Sequence, residues 1–259
     1  MVLNHRRLTG FFLIALVVLC AVLADTIAPY DPTRSSVDIL GAPSAEHLFG
    51  TDELGRDVLS RLIHGARISL VIGFGAALVG MAIGVPVGLM AGYFRGGIDV
   101  AAVMLIDLLV ALPGLVLALV ITVMIGPSLQ HLALVLGFVM WPGVARLTRG
   151  QVLAVREVTF IEAARAVGGT HTWIIVRHVW PNIMRVIAAQ FAVSVSFAIF
   201  TSSSLSFLGL GIPPPTPDWG GMVRTGYDFL VLNPLMSLGP GAAVGLTVMG
   251  FYLVGSSVE

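Results

Sequence analysis

Two sets of side chains in this sequence could do chemistry in an apolar setting. Thr201, Ser202, Ser203, Ser204 and Ser206 fall within six residues, and Asp107 is the one acid in the run 100–145. Clustered hydroxyls offer weak, multiple hydrogen-bond sites, which suit a wet path where a solute must bind and then leave. The same hydroxyls also satisfy their own helix backbone or join neighbouring helices, and the sequence leaves both readings open. An acid at mid-bilayer costs about 2.5–3.5 kcal/mol on insertion scales, so it turns toward protein or water. Asp107 lies only about eight residues from the cytoplasmic end of its span, so hydrogen bonding or snorkelling explains it better, and proton coupling has no evident partner at similar depth. Enzyme chemistry has little support. The six histidines show no H-E-x-x-H spacing, no serine sits in a nucleophile motif, and no G-x-x-x-x-G-K-[ST] phosphate loop is present. Cys20, the single cysteine, excludes an internal disulfide and reads as a small packing residue.

What positions these groups is a very apolar chain. Its 259 residues are 57% hydrophobic and 11% charged, with a mean hydropathy of +0.97, against roughly 25% charged in soluble domains. The runs 68–94, 186–217 and 229–258 carry no charge. Each can supply the ~20 residues a helix needs to cross a ~30 Å hydrocarbon core. The chain is therefore read as an integral membrane protein with six spans. These are expected at about 8–24, 68–92, two cut from the long run after Asp99 by Gly126-Pro127-Ser128, 181–208 and 238–255. The "VLA" before Asp25 resembles a leader cleavage site, but the apolar core is long for a leader and a retained span is expected. All 14 basic residues are arginine, which reads as codon or genome bias.

The arginines orient the spans. With the N-terminus cytoplasmic, nine arginines and four acids fall inside, while five arginines and nine acids fall outside. The inverted topology would reverse that balance. The segment 25–67 is then external, and apolar Val58, Leu59, Leu62 and Ile63 at helical spacing predict an amphipathic helix at the interface before the second span. The external "GLGIPPPTPDWGGM" at 209–222 reads as non-helical because of its four prolines, with Trp219 as a headgroup anchor. Gly84, Pro86, Gly88, Pro113 and Gly114 permit kinks or close packing and do not choose between a moving and a rigid bundle.

The best-punctuated segment is cytoplasmic, in the loop between the fourth and fifth spans. In "TFIEAARAVGG" (159–169), Thr159 followed by Glu162 predicts a capping box, and Gly168-Gly169 predicts a left-handed stop. Phe160, Ala163, Ala164 and Val167 fall at i, i+3, i+4, i+7. Such a short helix cannot persist alone. It either packs on the protein's own surface or presents its small-residue face to a partner's groove. A second helix is expected from Thr170 or Thr172, with Pro181 starting or kinking the fifth span.

The stretch "EAARAVGGTHTWIIVRHVWPN" (162–182) resembles the signature loop of bacterial ABC import permeases, with Glu162, Ala163, Ala164, Gly168 and Pro181 in register. "FGTDELGRDVLSRLIHGARISL", "GYFRGGID", "WPGVARLTRGQVL" and "SLSFLGLGIPPPTPDWGGM" extend the likeness over nearly the whole chain, to the second permease type of the dipeptide/oligopeptide/nickel group. Trp180 departs from the usual Leu before the proline, His178 stands where Ile is common, and Ser202 where relatives often carry an acid. The resemblance implies an all-α membrane protein with a type I importer fold, six spans and a cytoplasmic N-terminus, in a bacterial inner membrane. It implies an organisation of 1–65 (first helix and external loop), 66–255 (transmembrane domain with coupling loop 146–180) and 256–259 (cytoplasmic C-terminus, which stops short of the charged tail of relatives and suggests truncation). Phe160, Glu162, Ala163, Ala164, Val167, Gly168 and Gly169 would meet a cytoplasmic ATPase. Thr201, Ser202, Ser203, Ser204, Ser206 and Asp107 are candidates for the path. The implied partners are a second permease, two ABC ATPases that hold the ATP and Mg, and an external binding protein. The expected role is a non-catalytic permease for di- or oligopeptides. Nickel or small-chelate transport is the alternative, and a stand-alone secondary transporter a more distant one.

Overall fold

Backbone polar groups in hydrocarbon must be satisfied within the segment, which favours helices. In the computed structural model, which describes residues 5–256, all extended regular elements are helices. Of the expected C-terminal stretch 256–259, residues 257–259 lie outside the described residues.

In chain order, α1 (His5–Val22) and the short α2 (Ala24–Ile27) lead into the external loop. α3 (Val58–Phe94), α4 (Gly96–Val110), α5 (Gly114–Ile125) and α6 (Leu129–Arg156) follow. The cytoplasmic loop holds α7 (Thr159–Ala166) and α8 (His171–Ile174). A π-helical turn (Ile175–Val179) joins α8 to α9 (Trp180–Leu205), and a second (Ser206–Leu210) extends α9 outward. α10 (Trp219–Tyr227) and α11 (Leu235–Gly255) complete the fold. Five helical stretches are long and apolar enough to cross a membrane, and α4 and α5, which pass the same test only together, meet at an 81° bend and give a sixth passage when counted as one span.

That bend falls at Pro113 and Gly114, where the sequence permitted a kink in the third span. Pro113 supplies no amide to continue a helix, and the chain turns at Ala111–Pro113 before α5 resumes. The helix predicted before the second span is present and is continuous with that span. It is the first part of α3, which at 37 residues is about 55 Å long. Of the predicted stripe, Val58 is buried in a core against which Leu62 packs, and Leu59 and Ile63 are half-buried. The expected division at 65/66 therefore falls inside one helix. Asp57 caps α3, accepting from the Ser60 amide at 2.7 Å and the Ser60 hydroxyl at 2.6 Å.

α3 and α6 form the central pair, and glycines set their separation. Gly80, Gly84, Gly88 and Gly92 recur every four residues on α3 and put one small-residue stripe against α6. A Cβ at Gly88 would stand 2.3 Å from the Ala145 carbonyl, and one at Gly84 2.7 Å from that of Trp141. A core around Val58, Val195, Ile199 and Trp219 fills the external half. Another around Tyr93, Ile161, Ile174 and Ile183 fills the cytoplasmic end. Pro181 stands in the first turn of α9, as expected of a proline that starts a span. The preceding π-helical turn absorbs the missing amide, and helix runs from His171 to Leu210.

Candidate functional site

The cytoplasmic loop is built from a helix too short to stand alone. α7 begins one residue after its N-cap, Val158, and no side chain caps it. The expected capping box is thus absent: Thr159 already lies in the first turn, because only two residues separate α6 from α7. The stop is as expected. Gly168 has φ +84°, the Gly169 amide donates to the Ala164 carbonyl at 3.0 Å, and the Gly168 amide to that of Arg165 at 3.0 Å. These two bonds make a Schellman closure. Thr170 then caps α8, its hydroxyl accepting from the Trp173 amide.

Packing splits the apolar face read from sequence. Ile161 and Ala164 are buried in the cytoplasmic core, whereas Phe160, Ala163 and Val167 are exposed, Val167 at 81%. Glu162 and Gly168 are exposed and Gly169 is half-buried. Ile161, which the four-residue pattern omitted, is the anchor. It is the apolar residue at i−3 from Ala164, a spacing legible in the sequence. Beside the loop, His178 lies between the rings of Phe160 (6.1 Å) and Trp173 (4.7 Å), and Trp180 is partly exposed. The loop is tied to the end of α3. The Tyr93 hydroxyl lies 3.1 Å from His171 Nδ1, and the Arg165 guanidinium sits 5.8 Å from the Tyr93 ring centre. Arg156 donates to the Tyr93 carbonyl and Arg95 pairs with Glu157.

The candidate path residues separate into different environments. Thr201 and Ser202 are buried and donate to the Phe197 and Ile199 carbonyls, and Ser204 donates to that of Phe200. Those hydroxyls serve their own helix. Ser203 is half-buried, and Ser206 lines an external cavity. Asp107 does have a partner: Arg146 Nη2 on α6 lies 2.5 Å from its Oδ1. Next to the α4–α5 bend, a groove of about 350 Å³ between α4, α6 and α9 carries Gln190 and Ser194 among apolar walls.

The external cavity, about 460 Å³, lies between the start of α3, the loop after α9, and α10. Arg56 Nε donates to Asp52 Oδ2 at 2.7 Å, and Arg61 Nε lies 3.4 Å from the same oxygen. Arg61 also donates to the Pro32 and Pro215 carbonyls, tying two external segments together. Asp218 caps α10, accepting from the Gly221 amide at 3.0 Å. Burial pushes the Asp218 carboxyl above the usual carboxylate range; Ser206 and the Gly221 and Gly220 amides act in the opposite direction. Trp219 is not a headgroup anchor. It is buried, donates from Nε1 to the Leu62 carbonyl at 2.8 Å, and fills the space left by Gly65. Helix resumes there because Pro217 is the last proline of the segment, so 219–222 is helical.

Residues 84–258 match the family described as "Binding-protein-dependent transport system inner membrane component". The chain belongs to that family. It is 37% identical over 258 residues to the "Glutathione transport system permease protein GsiD" of Pectobacterium atrosepticum, covering 99% of this chain and 86% of that protein. The protein of the same name from Escherichia coli O1:K1 / APEC is also 37% identical, with 85% of it covered. The fold resembles that of the inward-facing MetNI methionine ABC transporter, with a TM-score of 0.60, 18% identity, and coverage of 77% of this chain and 96% of that one. The permease is thus an importer subunit of type I fold, multi-pass in a bacterial plasma membrane. Family membership implies, in general terms, a second permease, ATPase subunits and a solute-binding protein. It replaces the stand-alone secondary transporter alternative.

Proposed function

We propose that this permease forms half of the inward pathway for di- or oligopeptide-like solutes, and that α7 receives the push of a cytoplasmic ATPase. The observation that carries the coupling role is the split of α7. Ile161 and Ala164 fasten it to the cytoplasmic core, the Schellman closure stiffens its end, and Phe160, Ala163 and Val167 stand free. A helix anchored on one side and apolar on the other transmits displacement to the bundle it is anchored in. Its contact through Tyr93 reaches α3, and so the central pair. ATP and Mg are held by partner subunits in this reading. The peptide-like solute is supported by the relatives named as glutathione transport permeases. A nickel or small-chelate cargo is the other family reading.

The test is a rebuilt importer with its two permeases, ATPases and binding protein in proteoliposomes. Gly168→Trp, which places a side chain at φ +84°, is expected to abolish transport and substrate-stimulated ATP hydrolysis while the chain still inserts and assembles. Full transport by that variant would overturn the coupling role.

A further inference from the structure

The external cavity holds a guanidinium that the fold leaves unused. Arg56 and Arg61 are committed to Asp52, Glu53 and two backbone carbonyls. Arg224 of α10 also lines the cavity, but it makes no ion pair or hydrogen bond among the described residues. Its side chain is exposed and lies over the loop after α9. Gly209, at φ +91°, passes so close that a Cβ there would lie 1.9 Å from Arg224 Nη1. On the same turn, a Cβ at Gly211 would lie 2.3 Å from Ser206 Oγ. Ser206 is 2% exposed, and its Oγ approaches Asp218 closely enough to favour the charged acid without completing a hydrogen bond. Glu53 Oε2, also at the cavity, is buried without a partner.

A buried hydroxyl without a partner costs free energy that a bound group would recover. A free guanidinium on the same cavity offers a planar fork matched to a carboxylate. The cavity falls within the roughly 300–1,000 Å³ of small-molecule sites, and its mostly apolar wall with a few convergent polar groups has their character. A protein docking through one acidic side chain would need no such volume. We propose that this cavity is a reception site for a small solute carrying a free carboxylate, gripped by Arg224 with Ser206 as second donor. The proposal rests on the reading of this chain as an importer of small solutes.

The probes are trialanine and its C-terminal amide, applied to the assembled importer in detergent. Phenylglyoxal labelling of Arg224, mapped by mass spectrometry, is expected to slow severalfold with millimolar trialanine and not with the amide. In proteoliposomes, Arg224→Gln should lower the acid-over-amide ratio of uptake rates about tenfold, as loss of a charge-assisted pair implies, and Arg224→Lys should restore part of it. Equal protection by acid and amide, or none, would overturn the site. So would protection by solute-free binding protein with none from trialanine, since Arg224 would then be a protein-docking contact. Acid-selective protection in an importer that takes up no peptide would support the site and sink the peptide reading instead.

Discussion

Asp218 does two opposed things. It caps α10, and it is a buried acid whose proton affinity is raised by loss of water around it. A folded-state pKa above the unfolded value means that the charged form is the disfavoured one in the fold. The cost is fully present above the folded pKa and is relieved as pH falls through it toward 3.8. Asp218→Asn keeps an N-cap acceptor and removes the charge. Its thermal midpoint at pH 7 is expected to equal or exceed that of the parent, and the parent's gain between neutral and weakly acid pH should shrink in the variant. Asp218→Ala loses the cap instead and should cost about 1 kcal/mol. A midpoint for Asp218→Asn well below the parent's at pH 7, with the acid dependence unchanged, would show that burial of this carboxylate is not costly. Composition alone could not expose this group, because nothing local to "PDWGG" says that it is buried; the enclosing residues come from α9 and its π-helical turn.

The α3–α6 contact converts a four-residue glycine repeat into a graded prediction. A Cβ at Gly80 would stand 3.3 Å from the Gly137 carbonyl, a distance that small shifts accommodate, whereas at Gly88 it would stand 2.3 Å from the Ala145 carbonyl. Gly80→Ala should therefore shift the thermal midpoint in detergent little. Gly88→Ala should cost about 1–3 kcal/mol or more, the range for overpacking, and lower the folded yield. Equal effects of the two would mean that the helices separate freely along their length. The glycines were visible in the sequence but silent about their use, since a kink and a close packing seam require the same residue. The break between α4 and α5 was likewise half visible: Pro113 and Gly114 marked it, while the 81° turn depended on what α6 and α9 leave open.

The Asp107–Arg146 pair bears on how the permease meets its surroundings. Its side chains are 61% and 53% exposed in the isolated chain, on helices that cross the membrane. An open ion pair does not lie against hydrocarbon at small cost, so in the importer this face meets water, the headgroup layer or the second permease. With Cys20 replaced by Ala, a cysteine at position 107 is expected to react with a membrane-impermeant maleimide in inverted vesicles carrying the chain alone. An unreactive thiol would place this face against lipid. If the second permease covers the pair, its assembly should slow that reaction.

The sequence by itself determined the class, the membrane passages, their orientation and the loop that stands out among them. Each of these follows from information carried within one segment: run length, arginine counts, and a glycine pair closing a short helix. Tertiary structure decided how those segments are used. It turned Ala164 inward beside Ile161, drew Trp219 to the Leu62 carbonyl across 157 residues of sequence, gave Asp107 its arginine, and left Arg224 free at an external cavity. These outcomes depend on which helices touch, and contact between segments far apart in the chain is set by packing, which no local pattern encodes.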